Sequence, residues 1–261
     1  MKIISIVNQK GGVGKTTSSI EIAIRLSLEG KKVGLIDLDP QGNSTRGLGI
    51  DKAEIKHSIS DLLKKRAFKK GYEDITSSDV FINKFNIDIY PNNIKMAKTV
   101  DELGMAINKE SILKHVIENY LPVYDYLILD CPPQLGLIIN NALIASDLVF
   151  IPVGADVYSI EGIVDLIDTI EVIKEDANQS LEIGGVFLTK VNARTKLFQE
   201  AFDSLKEIFN DKMMNSYIRT ATKVEECIKE GIPVSIKAPT SNPGKDYKAL
   251  TKEMITMIEG V

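Results

Sequence analysis

An apolar run over residues 2–8 (KIISIVN) leads straight into Lys10-Gly11-Gly12-Val13-Gly14-Lys15-Thr16-Thr17, and an amphipathic stretch over residues 15–29 follows. A buried strand that feeds a glycine turn and then a helix is the first half of a β-α-β unit, and few architectures accept it. The remainder of the chain repeats the alternation. Runs rich in Ile, Val and Leu occur at residues 32–37, 87–90, 126–130, 148–153 and 183–189. Their nearly continuous apolar content fits strands buried on both faces, as parallel strands are. Amphipathic stretches lie at residues 111–120, 160–175, 196–209 and 247–258; in the last, Tyr247, Leu250, Met254, Met257 and Ile258 recur at helical spacing. Right-handed crossovers then make an α/β fold, a mostly parallel twisted sheet with helices on both faces. No internal repeat and no Gly/Ser- or Pro-rich linker divides residues 1–261, so one domain is expected. Residues 42–85, polar and Lys-rich, are the least regular and are expected to hold surface helices between the second and third strands.

At 261 residues with 44% hydrophobic side chains the chain can bury a large core without disulfides or a structural metal. That apolar fraction excludes a disordered chain, and no window of ~18 uninterrupted apolar residues is present to form a membrane-spanning helix. The first residues carry no signal-peptide pattern. Cys131 and Cys227 form neither a disulfide framework nor a CxxC pair, which fits a reducing cytosol and a role as small apolar fillers. His57 and His115 stand alone. A formal charge of −4 argues against a globally basic nucleic-acid binder but says nothing of a local patch.

The glycine loop is the strongest chemical signal. At a helix N-terminus the unpaired backbone N–H groups and the positive end of the dipole face an anion, and glycines let the backbone close around phosphate oxygens. Lys15 can reach the β- and γ-phosphates and the Thr16 hydroxyl can ligate Mg²⁺. A turn that merely caps a helix is the plainer reading, and GKTT directly after a buried strand argues against it. The pattern G-x-x-x-x-G-K-[ST] asks for Gly at position 9, where this chain has Gln9, followed by Lys10. A second cation on so short a loop is better placed to reach a nucleotide held by a facing subunit, which points to a dimer with nucleotide at its interface. Asp37 and Asp39, two residues apart at the end of a strand, can both face the phosphate end of the sheet.

These residues resemble a known family. K-G-G-V-G-K-T-T is similar to the deviant Walker A motif of the ParA/MinD superfamily of P-loop NTPases. Residues 37–45 (DLDPQGNST) resemble the corresponding stretch of its ParA/Soj branch, and residues 124–133 (YDYLILDCPP) its Walker B strand, with residues 135–145 as the helix that follows. Residues 151–153 (IPV), 158–162 (YSIEG) and 189–195 (TKVNART) match later segments in order. The resemblance implies an Mg²⁺-dependent ATP hydrolase. It implies nucleotide contacts from Lys10, Gly11, Gly12, Val13, Gly14, Lys15, Thr16 and Thr17, and an adenine contact from Asn192. It makes Lys10, Lys15 and Asp39 the catalytic residues, with Asp39 orienting the attacking water, and Thr16, Asp39 and Asp130 the residues around Mg²⁺, with Asp37 close to that shell. The family's second base-contacting loop reads I-P-R-N, whereas this chain has Tyr217-Ile218-Arg219-Thr220.

The resemblance also implies an ATP-dependent homodimer that binds DNA without sequence preference, a centromere-binding ParB-type partner that stimulates hydrolysis, and a cytoplasmic, nucleoid-associated role in chromosome or plasmid partition. Residues 212–248 hold seven basic side chains against four acidic ones. A patch of that kind suffices for non-specific phosphate neutralisation, and Arg194, Lys196, Arg219 and Lys223 are its candidate DNA-binding residues. The run Lys64-Lys65-Arg66 with Lys69 and Lys70 reads as a solvated helix face. The first strand begins at residue 2, so no N-terminal helix-turn-helix domain is expected. A MinD-like membrane-cycling ATPase is the alternative; it asks for a basic amphipathic C-terminal extension. Residues 253–261 (EMITMIEGV) read instead as a helix packed on the domain, so no membrane partner is expected.

Overall fold

The computed structural model describes residues 1–69, 71–156 and 163–260. The apolar runs become strands β1 (Lys2–Ile6), β2 (Val33–Asp37), β4 (Ile87–Tyr90), β5 (Tyr126–Asp130), β6 (Leu148–Gly154) and β7 (Glu182–Thr189), joined by a short β3 (Ile82–Lys84). Among the described residues they form one sheet in the order β3-β4-β2-β5-β1-β6-β7. Every pairing is parallel except the β3–β4 hairpin, which turns at Phe85 and Asn86 with φ of 54° and 62°. The stretch 42–85 contains the expected helices α2 (Asn43–Gly47), α3 (Ile59–Phe68) and α4 (Ser77–Val80), and ends in β3, which was not expected. A three-residue edge strand carries too few alternating positions to register as a pattern.

Besides α1 (Lys15–Leu28), the other α-helices among the described residues are α5 (Lys95–Leu103), α6 (Ile112–Tyr120), α7 (Leu137–Ala145), α8 (Val164–Asp176), α9 (Lys196–Phe209), α10 (Thr222–Glu230), α11 (Val234–Lys237) and α12 (Asn242–Glu259). The start of the stretch expected at 160–175, and the match at 158–162, lie outside the described residues. α12 begins five residues before the apolar periodicity does, because Ser241 caps it by accepting the Gly244 N–H at 3.3 Å and Pro243 suits a first turn.

Side chains alternate across β1, so Ile4 and Ile6 enter one core with Ile20, Ile22 and Ile24 of α1 (Lys15–Leu28) and Tyr247, Leu250 and Met254 of α12. Val7 enters the other, with the buried faces of α3, α5, α6, α7, α8 and α9. Each fully buried Ile or Leu contributes about 1.5–3 kcal/mol. Met257 and Ile258 are partly buried against the first of these cores, as a helix packed on the domain requires.

Polar contacts tie α1 to the C-terminal segment along a single stripe. Glu21, 3% exposed, accepts the Val234 and Ser235 N–H groups at the start of α11 at 2.6 and 2.9 Å. Arg25 donates to the Gly244 carbonyl at 2.7 Å, and the Ser18 and Tyr247 hydroxyls lie 3.3 Å apart. At the β7 edge of the sheet, residues 213–220 run alongside β7. Met214 N–H donates to Val186 at 2.8 Å and Ile218 N–H to Leu188 at 2.9 Å.

The order of the strands decides where chemistry can happen. β1 is flanked by β5 and β6, so the chain crosses it to reach the sheet's other half, and a crevice opens at the carboxyl ends of the strands there. The glycine loop occupies that point.

Candidate functional site

The loop after β1 enters α1 through Gly14, which sits in the left-handed region at φ 86° and ψ 19°. A side chain at Gly14 would strain the backbone at the place where the helix amides must turn toward the crevice. Lys15, the first residue of α1, is 7% exposed, and its Nζ donates to the Lys10 carbonyl at 2.9 Å across the mouth of the loop. Burial lowers its pKa, and the charges of Asp130, Cys131 and Asp39 oppose that shift. The Lys10 side chain is half exposed and makes an ion pair with Asp156.

Two carboxylates lie beneath the loop. The register of β2 and β5 sets Asp37 beside Asp130, both with no exposed surface. Asp37 accepts the Thr45 N–H at 2.8 Å and its hydroxyl at 2.7 Å. Asp130 accepts the Ser19 hydroxyl at 3.0 Å and the Ser44 hydroxyl at 2.5 Å, and also a hydrogen bond from Thr16. Desolvation holds both above the ordinary carboxylate range, with Asp130's charge adding to the rise at Asp37 and Asp39's charge adding at both. Asp39 is 8% exposed and accepts the Gln41 N–H at 2.8 Å, with the Asn43 amide 3.5 Å away.

A cavity of about 760 Å³ opens over this arrangement, lined by Gly11, Gly12, Lys15, Thr16, Thr17 and Asp39 among others. Arg46 and Gly47 of α2, Lys190, and residues 228–231 also line it. The donors fit a small hard cation held jointly with a ligand's oxygens: the Thr16 hydroxyl and an Asp39 carboxylate line the cavity, with Asp130 directly behind Thr16. No cage of three or more His, Cys, Asp or Glu is present among the described residues, so the protein alone does not complete such a site.

The remaining candidates are dispersed. Asn192 is not among the described residues lining the cavity; its Oδ1 accepts the Arg194 N–H at 3.2 Å and its carbonyl accepts the Thr195 N–H at 3.1 Å. Arg194 and Lys196 are exposed where α9 begins. The Arg219 guanidinium is engaged by Asp246, with Nη2 at 2.5 Å and Nε at 3.0 Å, and Lys223 pairs with Glu226 at 2.7 Å. The basic run on α3 is only partly solvated. Lys64 pairs with Glu102 at 2.7 Å, and Lys65 donates to the Glu73 and Ile75 carbonyls at 2.8 and 2.7 Å; Lys70 lies outside the described residues. Cys131 and Cys227 are both buried, and burial pushes the Cys131 thiol well up.

Sequence reasoning missed the hydroxyls of Ser19, Ser44 and Thr45 that hold the two buried carboxylates. A signal was present for two of them, because a helix directly after the Pro40-Gln41-Gly42 turn sets hydroxyls at successive positions back toward the strand ends. Nothing local marks residues 228–231 as a cavity wall, since α10 and α2 meet only in the folded chain.

The family model described as AAA domain matches residues 1–183. The chain is 40% identical over 253 residues to the sporulation initiation inhibitor protein Soj of Bacillus subtilis (strain 168), covering 97% of this chain and 98% of that protein. It is 35% identical to the chromosome-partitioning ATPase Soj of Treponema pallidum (strain Nichols), covering 97% of each. Among solved structures, cobyrinic acid a,c-diamide synthase from Mycobacterium smegmatis, with bound ADP and magnesium, aligns at a TM-score of 0.84 and 24% identity, covering 99% of this chain and 96% of that one.

Proposed function

Because the chain belongs to the AAA-domain family that includes the Soj partition ATPases, we propose that it is an ATP-driven switch of DNA partition, dimeric and DNA-bound with ATP and released when ATP is hydrolysed. The observation that carries this reading is the buried Lys15 ammonium at the mouth of the glycine loop, in one cavity with Asp39 and Thr16.

ATP lies with its phosphates on the amides of residues 11–17. Lys15 neutralises the β- and γ-phosphates, and its burial strengthens that contact because little water screens it. Thr16 and Asp39, with Asp130 behind them, would hold Mg²⁺, which when bound would supply charge neutralisation at the phosphates. Asp39 orients a water toward the γ-phosphorus. The water oxygen forms the new P–O bond as the bond to the β,γ-bridging oxygen breaks, giving ADP and phosphate with no covalent intermediate. Lys10 adds a further cation from a facing subunit, so a monomer binds ATP and hydrolyses it poorly.

The dimer binds DNA through exposed cations, with Arg194 and Lys196 as the foremost candidates; Arg219 and Lys223 reach phosphate only by leaving Asp246 and Glu226. A ParB-type protein stimulates turnover, and the setting is cytoplasmic and nucleoid-associated. The single domain of residues 1–261 carries all of these steps.

The test is ATP turnover, light scattering and DNA co-sedimentation on one preparation. Lys15→Ala is expected to abolish ATP binding. Lys10→Ala should retain it and lose the ATP-dependent dimer. DNA binding should require ATP and fall steeply with salt. ATP-bound protein that ignores DNA at low salt but sediments with anionic liposomes would replace this reading with a membrane-cycling one.

A further inference from the structure

The loop that carries Asp39 leaves β2 and enters α2, and one buried residue from the end of another strand holds it in two places. Asn92 stands two residues beyond β4 and has no exposed surface. Its side-chain amide donates to the Asp39 carbonyl at 3.2 Å, and its backbone N–H donates to the Thr45 hydroxyl at 2.9 Å. That hydroxyl in turn donates to Asp37 at 2.7 Å. The direction of the Asn92 amide follows from its other partners. Oδ1 accepts the Asn93 N–H at 2.9 Å and the Ser60 hydroxyl at 3.4 Å, which leaves the NH2 for Asp39.

The bonds of the Asp39 carboxylate, to the Gln41 N–H and the Asn43 amide, lie inside the turn and move with it. So does the Gly42 N–H, which donates to the Asp39 carbonyl at 2.8 Å. Residues 39–43 are thus tied to themselves. Their first residue carries the contacts to the sheet: its N–H donates to Asp37 at 3.2 Å, and its carbonyl accepts from Asn92. The turn also lies flat on Asn92, since a Cβ at Gly42 would come within 2.6 Å of the Asn92 carbonyl. Asp39 lines the cavity with Lys15 and Thr16, whereas Asn92 is buried beneath the turn and reaches a ligand there only through Asp39. A displacement of about 1 Å in a group that positions a reacting atom is enough to cost about 100-fold in rate.

We propose that Asn92 is a positioning residue for ATP hydrolysis: through the Asp39 carbonyl it sets the Asp39 carboxylate in the cavity, so turnover depends on the Asn92 side chain while ATP affinity, carried by the glycine loop and Lys15, does not. The proposal rests on the reading of Asp39 given above. The bond from the Asn92 backbone to Thr45 survives any substitution by a residue other than proline, so the Asp37 arm stays in place.

The test is single-turnover ATP hydrolysis, calorimetric ATP binding and melting on the full chain. Asn92→Ala is expected to slow hydrolysis about 10- to 100-fold and to leave ATP affinity unchanged. In a chain that already carries Asp39→Ala, the same substitution is expected to slow hydrolysis no further, because its effect passes through Asp39; a merely structural loss would add to that of Asp39→Ala. Asn178 is the control, a buried asparagine whose amide donates to the Leu143 and Ser146 carbonyls at 3.0 and 2.7 Å. Asn178→Ala is expected to lower Tm with hydrolysis per folded chain unchanged. If Asn92→Ala does not fold, Asn92→Ser, whose hydroxyl is too short to reach Asp39, is expected to give the same slowing at unchanged ATP affinity. Unchanged turnover, equal loss of turnover and ATP affinity, or additive losses in the Asp39→Ala chain overturn the proposal. A wild-type chain that hydrolyses no ATP, or an Asp39→Ala chain that hydrolyses it normally, overturns the reading of Asp39 itself and the proposal with it.

Discussion

Asp37→Asn tests the electrostatics under the glycine loop. In the folded chain Asp37 is fully buried beside Asp130, and desolvation, followed by Asp130's charge, raises its pKa from 3.8 to about 7. In the unfolded chain it titrates near its ordinary value. Between about pH 4 and pH 7 the native state therefore holds a proton that the unfolded state has released, so stability falls as pH rises through that window. A full proton over those three pH units corresponds to roughly 4 kcal/mol. Asp37 and Asp130 titrate as a pair and Lys15 lies close by, so a loss of about 2–3 kcal/mol is the reasonable expectation. Asn at position 37 has almost the same shape, keeps an oxygen to accept the Thr45 N–H and hydroxyl, and has no charge to bury; its NH2 replaces the oxygen that accepts the Asp39 N–H at 3.2 Å, a cost that does not vary with pH. Urea unfolding without Mg²⁺ or nucleotide, from pH 4.5 to 8, is the assay. Wild type should lose stability relative to Asp37→Asn across the window, and at pH 8 the variant should be the more stable. Mg²⁺ with ATP should return stability to wild type at pH 8, because cation charge then faces the carboxylate pair. A difference between the two proteins that is flat with pH, or that favours wild type increasingly as pH rises, would refute the argument.

Glu21→Leu leaves the Val234 and Ser235 N–H groups buried without acceptors, each at about 1–3 kcal/mol, offset by removal of a buried carboxylate. A net loss of about 2–4 kcal/mol, read as a lower Tm, is expected, while Glu21→Gln, which keeps one acceptor and turns its amide NH2 toward the other N–H, should lose about 1–3 kcal/mol at low pH. Since burial raises the Glu21 pKa, wild type should lose ground to Glu21→Gln as pH rises above about 4.5. Asp39→Ala should trap an ATP-bound dimer visible by light scattering, and normal phosphate release by this variant would dismiss Asp39 as the water-orienting group. Ser44→Ala leaves one Asp130 oxygen without its 2.5 Å donor. It should slow turnover more than it weakens ATP binding, and an unchanged kcat would show that the hydroxyl does not hold the site. Charge reversal at both Arg194 and Lys196 should weaken ATP-dependent DNA binding and flatten its dependence on salt while ATP turnover without DNA is kept; unaltered binding would move the DNA surface elsewhere.

Much of this protein is written locally. The K-G-G-V-G-K-T-T loop between an apolar run and an amphipathic one marks a candidate phosphate site because the chemistry proposed for it needs only neighbouring residues: amides at a helix start, glycine at φ 86° and one lysine. The buried strands and the longest helices are legible for a similar reason, since periodicity and capping act within a few residues. What remained hidden depends on contacts between distant residues. Asp37 lies against Asp130 because β5, not the next strand in the chain, inserts beside β2. Arg219 is held by Asp246, and α1 is held to α11 by Glu21, across separations of 27 and 213 residues that no local pattern records. Sequence alone therefore determined the strand, loop and helix of the candidate phosphate site. Only the tertiary structure decided which buried charges share one desolvated space, because burial and proximity are properties of the packed sheet and not of any single segment.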